Sequence, residues 1–375
     1  MVEKPVIPLA KPWLGEEEAR AAYDVVRSDW LIAGPRVRQF EQEFAALQGV
    51  HHTVAVSTGS NALLAIQYAT GIRAGDEVLV PNMTFVSTAT SLLFLGARPV
   101  FTDIELGSYG MDAADLERRI TPKTKAILVV HYAGQTAEMA PILEFARAKG
   151  LVVLEDAAEA HLASYQGTPA GALGDAAIFS FTPNKPMTTG EGGMVTTASE
   201  DIAERCRLFV NLGDVSKFQW ESFGFNFRMP EVMGAIGLCQ LKRLREAIDR
   251  RRAIAKRYRD ELQDLDTLIL PWERPTDRHC YQLFTIRMRK QAWTCSRDEL
   301  VKRLLEEGVQ SRLYFPLLHR APVFRELGAF NDADYPNACE YGDTAFSLPI
   351  FPGMTADEVK RTIAAVRKLA KELKR

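Results

Sequence analysis

The sequence is poor in cysteine and offers no pair of cysteines in CxxC spacing. Its 375 residues include five cysteines, scattered along the second half of the chain at Cys206, Cys239, Cys280, Cys295 and Cys339. An odd, scattered set suits reduced thiols better than a disulfide framework. The cysteines therefore predict a protein of the cytoplasm.

Long apolar runs and a strong charge of either sign are also missing. No stretch approaches the ~18 apolar residues of a membrane span. The first residues, MVEKPVIPLAKPWLG, lack the apolar run of a signal peptide. The net charge is -2, which argues against nucleic acid or an anionic membrane as the main partner. We expect a soluble protein that acts on small molecules.

Patterns for metal binding and for hydrolytic triads are absent as well. The six histidines show no metal-ligand spacing, and no Ser/His/Asp set can be singled out. The sequence therefore predicts no metal site. With 47% hydrophobic and 25% charged residues, the composition is that of an ordinary globular protein.

The order of apolar segments predicts an α/β fold. A chain of this length usually forms two domains. After an extended, proline-containing arm, short apolar strands alternate with helical segments, which indicates a mainly parallel sheet covered on both faces. A long amphipathic helix begins near Met229-Pro230, and helices with capping patterns begin at Ser296 and Thr355. We predict a large α/β domain of residues 1–245 and a smaller α+β domain of residues 246–375.

The stretch from residue 151 to residue 197 concentrates the chemically interesting side chains. Asp156 directly follows the apolar run LVVLE, and a carboxylate at the end of a strand can keep a ring nitrogen protonated. It can equally cap a helix or pair with a cation. Because ligands of parallel sheets bind beyond the carboxyl ends of the strands, we expect such residues to meet at that edge.

Lys185 lies in the segment FSFTPNKP, directly after a second apolar run. Most lysines are surface charges, but two phenylalanines and two prolines surround this one. A desolvated lysine becomes a nucleophile for an aldehyde or a ketone. The following TTGEGGM segment has a flexible backbone that can approach a ligand closely. The pattern favours Lys185 as the reactive amine.

A short turn, STGSN, joins a predicted strand to a helix at residues 57–61. Its free backbone N–H groups and the helix dipole favour an anion, and the Thr58 and Ser60 hydroxyls can add donors. With one glycine and no lysine it is neither a P-loop nor a dinucleotide motif. A plain helix cap is the alternative.

Three further side chains lie near these segments. Phe85 follows another apolar run and can stack on an aromatic ring or pack in the core. Glu159 and His161 follow Asp156 and can orient it or a cofactor, or simply cap the next helix.

Together these segments resemble the DegT/StrS-type sugar aminotransferases, which are pyridoxal-phosphate (PLP) enzymes of fold type I. The resemblance covers nearly the whole chain. It is carried by segments in the family's order, namely STGSNAL, GDEVLVPNMTFVSTATSLLFLGARPVFTDIE, HYAGQTAEM, LEDAAEAH, GDAAIFSFTPNKPMTTGEGGMV, FNFRMPEVMGAIGLCQL, RLYFPLLH and SLPIFPGMT.

The resemblance implies specific roles for residues of this chain. Lys185 is expected to form the Schiff base with PLP, and Asp156 to contact the pyridine nitrogen. The other expected cofactor contacts are Phe85 on the ring, Glu159 near its hydroxyl, and Gly59, Ser60 and Ser180 at the phosphate. Asn226 is expected to reach the cofactor of the neighbouring subunit in a homodimer with shared active sites. A lysine at position 185, where related dehydratases have histidine, favours transamination.

The resemblance also implies a substrate class. TTGEGG and RLYFPLLH are most similar to the branch that moves an amino group from a donor such as glutamate to a nucleotide-linked 4-keto-6-deoxy sugar. Arg228 and Arg312 are candidates for holding a carboxylate or phosphate, and either can instead form a structural ion pair. Tyr314 and His319, in the same segment as Arg312, are further substrate candidates.

Two departures from the family pattern keep other functions open. Leu162 stands where the family often has glycine, and Pro186-Met187 follow the lysine where asparagine or threonine is commoner. These changes favour a smaller or less polar substrate, so an amine transaminase acting on simple amines or polyamines is the alternative. A PLP-binding regulator would need a DNA-binding segment, which the sequence does not show.

Overall fold

The computed structural model describes residues 5–375, with helices and strands alternating through most of the chain. The helices are α1 (Glu16–Arg27), α2 (Pro35–Gln48), α3 (Gly59–Ala69), α4 (Ser87–Phe94), α5 (Ala113–Arg119), α6 (Met139–Lys149), α7 (Glu200–Val210), α8 (Glu231–Leu262), α9 (Arg297–Glu306), α10 (Pro336–Thr344) and α11 (Ala356–Glu372). The strands are β1 (His52–Val56), β2 (Glu77–Pro81), β3 (Arg98–Thr102), β4 (Thr124–Val130), β5 (Val152–Asp156), β6 (Ser164–Tyr165), β7 (Thr168–Pro169), β8 (Ala176–Ser180), β9 (Gly193–Thr197), β10 (Asp214–Ser216), β11 (Gln219–Trp220), β12 (Leu268–Ile269), β13 (Phe284–Met288) and β14 (Ala345–Leu348).

A seven-stranded sheet forms the centre of the fold, in the order β1-β9-β8-β5-β4-β2-β3. The pairs among β2, β3, β4, β5 and β8 are parallel, whereas β9 is antiparallel to both β1 and β8. The predicted mainly parallel sheet is therefore confirmed. Strand β9 was not foreseen: the chain turns back after β8 and brings the glycine-rich segment into the sheet.

The apolar strands are buried because helices cover both faces of this sheet. In β2, Val78 and Val80 point into a cluster that includes Ile66 of α3. Leu79, between them, points into the opposite cluster with Ile142 of α6. Successive side chains of a strand face opposite ways, so a strand covered on both sides must be apolar throughout.

The C-terminal part of the chain builds a second core around a small antiparallel sheet, β12-β13-β14. Its apolar side chains pack with α9, with α11 and with the end of α8, where Tyr258 and Leu262 are buried. Earlier in α8, Leu241 and Leu244 belong to an apolar cluster that also contains side chains of the large sheet. Helix α8 thus passes from one core to the other, and the domain limit near residue 245 stays a prediction.

The ends of several elements follow the local sequence. At Thr355, the hydroxyl accepts from the N–H of Glu358 and the Glu358 carboxylate accepts from the N–H of Thr355, which is the predicted capping box. Ser296 caps α9 through one such bond. Strand β13 begins at Phe284, and Tyr281, three residues before it, has a left-handed φ of 51° that is incompatible with an extended strand.

The predicted N-terminal arm is partly visible. Ile7 donates its N–H to the carbonyl of Gly308 at 2.9 Å, while the first four residues of the arm lie outside the described range. Within residues 5–375, the structure contains no helix with the length and apolar character needed to cross a membrane.

Candidate active site

A cavity of about 570 Å³ lies beyond the carboxyl ends of β1, β5 and β8. This is the edge of the sheet at which the sequence predicts a ligand site. The candidate residues that line it are Gly59, Ser60, Phe85, Asp156, Glu159, Ser180, Lys185 and Tyr314. Segments more than two hundred residues apart in sequence thus meet in one cavity.

Asp156, the last residue of β5, is a buried carboxylate held by two donors. The Thr88 hydroxyl donates to Oδ2 at 2.8 Å, and the N–H of Ala158 donates to Oδ1 at 3.2 Å. Burial raises the pKa of Asp156, while the bonds from Thr88 and Ala158 and the charge of Lys185 oppose that rise. Two bonds leave much of the acceptor capacity of a carboxylate unused, so Asp156 can accept a further N–H from a ligand.

Thr88 was missed by the sequence analysis. It lies in the first turn of α4, next to β2, whereas Asp156 ends β5. Strand β4 separates these two strands in the sheet. Only the strand order brings the hydroxyl to the carboxylate. The sequence signal that could have indicated Thr88 is its spacing of four residues from Thr84. In the structure the two hydroxyls lie 2.9 Å apart.

Lys185 lies in the loop between β8 and β9. Its Nζ donates to Glu159 Oε1 at 3.0 Å, and only 11% of its side chain is exposed. The second oxygen of Glu159 accepts from the N–H of Ala133 at 2.8 Å. The loop reverses because Phe181 and Gly192 are hydrogen-bonded across it. The result is a largely desolvated amine on a well-anchored carboxylate.

The STGSN turn meets the end of β8 at another wall of the cavity. Thr58 caps α3 by accepting from the N–H of Asn61, and the Ser60 hydroxyl lies 2.9 Å from that of Ser87. A Cβ added to Gly59 would lie 3.0 Å from the Cβ of Ser180, so only glycine fits without movement. The open N–H groups at the start of α3 and the nearby hydroxyls form an anion cradle.

Aromatic rings border the mouth of the cavity. Phe85 is 52% exposed, and its ring centroid lies 5.7 Å from that of Phe315. Phe315 and its neighbour Tyr314 both line the cavity. Phe85 therefore presents an open face to the cavity and is not part of the packed core.

Four candidate residues lie outside this cavity. Asn226 is exposed, and Arg228 donates to Asn211 Oδ1 at 2.7 Å beside a separate groove. Arg312 is also exposed. His319 is buried, and its Nε2 lies 2.8 Å from Asp332 Oδ1 while its Nδ1 lies 2.7 Å from the side-chain amide of Asn82. The structure thus gives His319 a local anchoring role for its turn rather than a place in the cavity wall.

The two departures from the family pattern lie outside the lining of the cavity. Neither Leu162 nor Pro186-Met187 belongs to its lining. Leu162 has a left-handed φ of 55°, a conformation that glycine adopts without strain. Met187 is buried in the apolar cluster that also contains Phe40, Phe44 and Phe181. Pro186 directly follows Lys185, so it flanks the cavity, and a smaller or less polar substrate stays a prediction.

His161 lies behind the cavity in an aromatic cluster. Its ring centroid is 5.2 Å from that of Phe179 and 5.8 Å from that of Phe181. Neither ring nitrogen has a hydrogen-bond partner among the described residues. Burial, then the charges of Lys185 and Arg251, lower the pKa of His161 from 6.5 to about 3. The ring is therefore neutral in the fold.

This neutral histidine predicts acid sensitivity. Between its unfolded and folded pKa values, the unfolded chain binds a proton that the folded chain excludes, so stability falls as the pH drops below 6.5. At about pH 5 the loss relative to about pH 7.5 is about 2 kcal/mol. We expect His161→Phe to reduce the pH dependence of the unfolding free energy by that amount.

Urea unfolding at both pH values measures this effect. His51→Gln is the matched control, because His51 is exposed and its replacement should leave the pH dependence unchanged. An equal loss of stability at acid pH in wild-type and His161→Phe protein would contradict the assignment.

The cavity suits the cofactor that the sequence resemblance implies. The cradle at Gly59, Ser60 and Ser180 can receive a phosphate. Asp156 retains acceptor capacity for a ring N–H, and Lys185 offers a desolvated amine to an aldehyde. Together these three features match the phosphate, the ring nitrogen and the aldehyde of PLP.

Comparison with known proteins agrees with this geometry. The model of the DegT/DnrJ/EryC1/StrS aminotransferase family matches residues 12–367. GDP-perosamine synthase of Caulobacter vibrioides is 39% identical over 370 residues, which cover 98% of this chain and 99% of that protein.

Solved structures show the same similarity in three dimensions. DesI, solved in the presence of its TDP-sugar product, has a TM-score of 0.91 and 30% identity, covering 98% of this chain and 93% of its own. Spr1654 of Streptococcus pneumoniae in its PLP form has a TM-score of 0.91 and 25% identity over 98% of both chains.

Proposed function

This chain belongs to the DegT/DnrJ/EryC1/StrS aminotransferase family and uses pyridoxal phosphate, and we propose that it aminates a nucleotide-linked 4-keto-6-deoxy sugar with glutamate as the donor. The cavity in which Lys185, Glu159 and Asp156 meet carries this proposal. The similarity of this chain to GDP-perosamine synthase, and to DesI solved with its TDP-sugar product, supports a nucleotide-linked sugar as the acceptor.

The proposed chemistry divides between the cofactor and the protein. Bound PLP supplies an aldehyde that takes up the amino group and a ring that accepts electrons from the donor carbon. Lys185 Nζ moves the proton at the donor carbon, as a general base and then as a general acid. Asp156 holds a proton on the ring nitrogen, and Thr88 keeps the carboxylate in place. Glu159 orients the amine of Lys185.

Two half-reactions test the proposal separately. Purified PLP enzyme mixed with glutamate should lose the absorbance of the aldehyde form, and a nucleotide-linked 4-keto-6-deoxy sugar should restore it. Putrescine in place of glutamate is the comparison, because a diamine is the donor of the alternative amine transaminase. Conversion by putrescine and not by glutamate, or no recovery with any such sugar, would contradict the proposal.

We further propose that the active unit is a homodimer in which Asn226 reaches the neighbouring cavity. Large apolar side chains are exposed around the segment that carries Asn226. They include Leu212, Phe218, Trp220 and Phe223, and a second exposed group is formed by Trp30, Leu31 and Ile32. The second group is bonded to a segment that follows Asn226 by only a few residues, since Glu231 at the start of α8 donates its N–H to the carbonyl of Leu31. Exposed apolar surface of this extent is typical of a subunit interface.

A charge in this surface should separate the subunits. We expect Trp220→Glu to shift the protein towards monomer in analytical ultracentrifugation and to weaken PLP binding by about tenfold or more. Trp272→Glu is the control, because Trp272 is similarly exposed, at 49% against 64%, but lies in another part of the chain. A monomeric Trp220→Glu variant with unchanged PLP affinity would argue against the role of Asn226.

A further inference from the structure

A buried group of hydroxyls lies directly behind the aromatic wall of the cavity. The backbone carbonyl of Tyr314 lies 2.7 Å from the phenol oxygen of Tyr132 and also within hydrogen-bond distance of the phenol of Tyr341. The two phenol oxygens are 2.6 Å apart. Both rings are buried, with at most 1% exposure. Two phenols thus lie within hydrogen-bond distance of one carbonyl of the cavity wall.

The hydrogen bonds continue into the small antiparallel sheet. Tyr132 contacts the Thr285 hydroxyl at 2.9 Å, and Thr285 contacts the Ser347 hydroxyl at 3.0 Å. Thr285 lies in β13, Ser347 in β14 and Tyr341 in α10. We call these four side chains, Tyr132, Thr285, Tyr341 and Ser347, the hydroxyl chain. It connects the second core of the fold to the wall of the cavity.

The hydroxyl chain has an order of protons that satisfies all its members. If Ser347 donates to Thr285, Thr285 to Tyr132, Tyr132 to Tyr341 and Tyr341 to the Tyr314 carbonyl, each hydroxyl donates once. Burial raises the pKa of Tyr132 and of Tyr341, so both phenols keep their protons. A buried, fully paired chain is rigid, and deleting one member leaves its neighbours unpaired.

We propose that Tyr341 is a positioning residue that fixes the Tyr314-Phe315 wall for binding of the keto acceptor. The inference rests on the proposed function, because the acceptor is the molecule placed against this wall. Phe315 faces Phe85 across the mouth and also contacts the ring of Tyr132, at a centroid distance of 6.3 Å. A nucleotide-linked sugar is much larger than glutamate, so it must extend towards this mouth.

The hydrogen bonds of Lys185 and Asp156 involve no side chain of the hydroxyl chain. Lys185 is bonded to Glu159, and Asp156 to Thr88 and Ala158. Loss of the Tyr341 hydroxyl should therefore leave these contacts in place. The effect should fall on acceptor binding and spare the donor half-reaction.

Tyr341→Phe tests this division, since it removes the hydroxyl and keeps the ring. The KM for the sugar acceptor should rise about tenfold, whereas kcat and the glutamate half-reaction should change less than about twofold. The double variant with Tyr132→Phe should show a larger KM, because Tyr132, whose phenol lies 2.7 Å from the Tyr314 carbonyl, can otherwise take over the bond that Tyr341 has lost.

Tyr109→Phe is the matched control. The Tyr109 ring packs against those of Tyr341 and Tyr132, at 4.9 and 5.9 Å between centroids. Its hydroxyl makes none of the hydrogen bonds of the hydroxyl chain as the structure describes it. Removal of this hydroxyl should leave the acceptor KM unchanged.

Amide hydrogen exchange of the holoenzyme without substrate gives a second readout. Exchange in residues 312–317 should be faster in Tyr341→Phe than in wild type and unchanged in Tyr109→Phe. An unchanged acceptor KM in Tyr341→Phe, or an equal loss in the glutamate half-reaction, would overturn the inference. Wild-type enzyme that aminates no nucleotide-linked keto sugar would instead overturn the proposed function.

Discussion

Replacement of Lys185 by methionine is expected to slow the glutamate half-reaction by about 10³-fold, the loss typical of a missing proton-transfer group. Methionine has a similar length but lacks the amine. Lys185 is the only lysine among the described residues that line the cavity, so no neighbouring side chain can replace it. The variant also leaves the Glu159 carboxylate without the donor that lies 3.0 Å away.

Two measurements on Lys185→Met check this expectation. Stopped-flow absorbance after mixing with glutamate gives the rate, and borohydride reduction followed by peptide mass mapping shows which residue carries the cofactor. Lys290→Met is the control, because Lys290 is exposed and pairs with Asp343 on the surface. Cofactor fixed to a different lysine, or a Lys185→Met rate near that of wild type, would refute the assignment.

Asp156→Asn is expected to have the next largest effect. The amide has nearly the same shape and can still accept from Thr88, but it has no charge with which to keep a ring nitrogen protonated. Breaking a buried charge pair in this way costs about 3 to 5 kcal/mol, which is on the order of 10³-fold in rate. The glutamate half-reaction should therefore be slow, although borohydride reduction should still fix the cofactor to Lys185.

Thr88→Val gives a graded comparison for Asp156. Removal of the hydroxyl deletes the strongest interaction that lowers the pKa of the Asp156 carboxyl against the effect of burial. We expect a loss of about tenfold, since a hydrogen bond to a charged group contributes about 1.5 to 3 kcal/mol. Asp298→Asn, at an exposed surface ion pair, should be neutral. If Asp156→Asn turned over within tenfold of wild type, the carboxylate would not act on the ring nitrogen.

Much of the fold is visible in the sequence because short-range patterns encode it. Apolar runs such as LVVL and AAIF predict strands, and they become β5 and β8, buried among helices. The polar residues that follow these runs come together, since parallel strands end at the same edge. For this reason Asp156, Ser180 and the turn at Gly59 could be expected to share one site.

Other features depend on contacts between distant segments. The antiparallel direction of β9 follows from a loop closed by a hydrogen bond from the N–H of Phe181 to the carbonyl of Gly192. The contact of Thr88 with Asp156 depends on the strand order, and that of Tyr341 with Tyr314 depends on how α10 packs. A pattern within one segment carries no information on which other segment lies beside it.

The positions of the substrate candidates also depend on contacts that no single segment of the sequence reveals. Arg228, Arg312 and His319 were chosen for their chemical type and their segments. Arg228 bonds to Asn211 and His319 to Asn82 and Asp332, while Arg312 is exposed. A side chain's partner is decided by packing, so charge and segment alone could not separate these residues from Tyr314, which does line the cavity.

Apolar periodicity by itself determined the fold class, and the resemblance of continuous segments along nearly the whole chain to the DegT/StrS-type family indicated the aminotransferase family and the cofactor. The tertiary structure alone decided which side chains support them: Thr88 on the carboxylate, Glu159 on the amine, and the hydroxyl chain behind Tyr314. Such contacts join residues far apart in the chain, and they form only when the sheet, the helices and the second core have packed together.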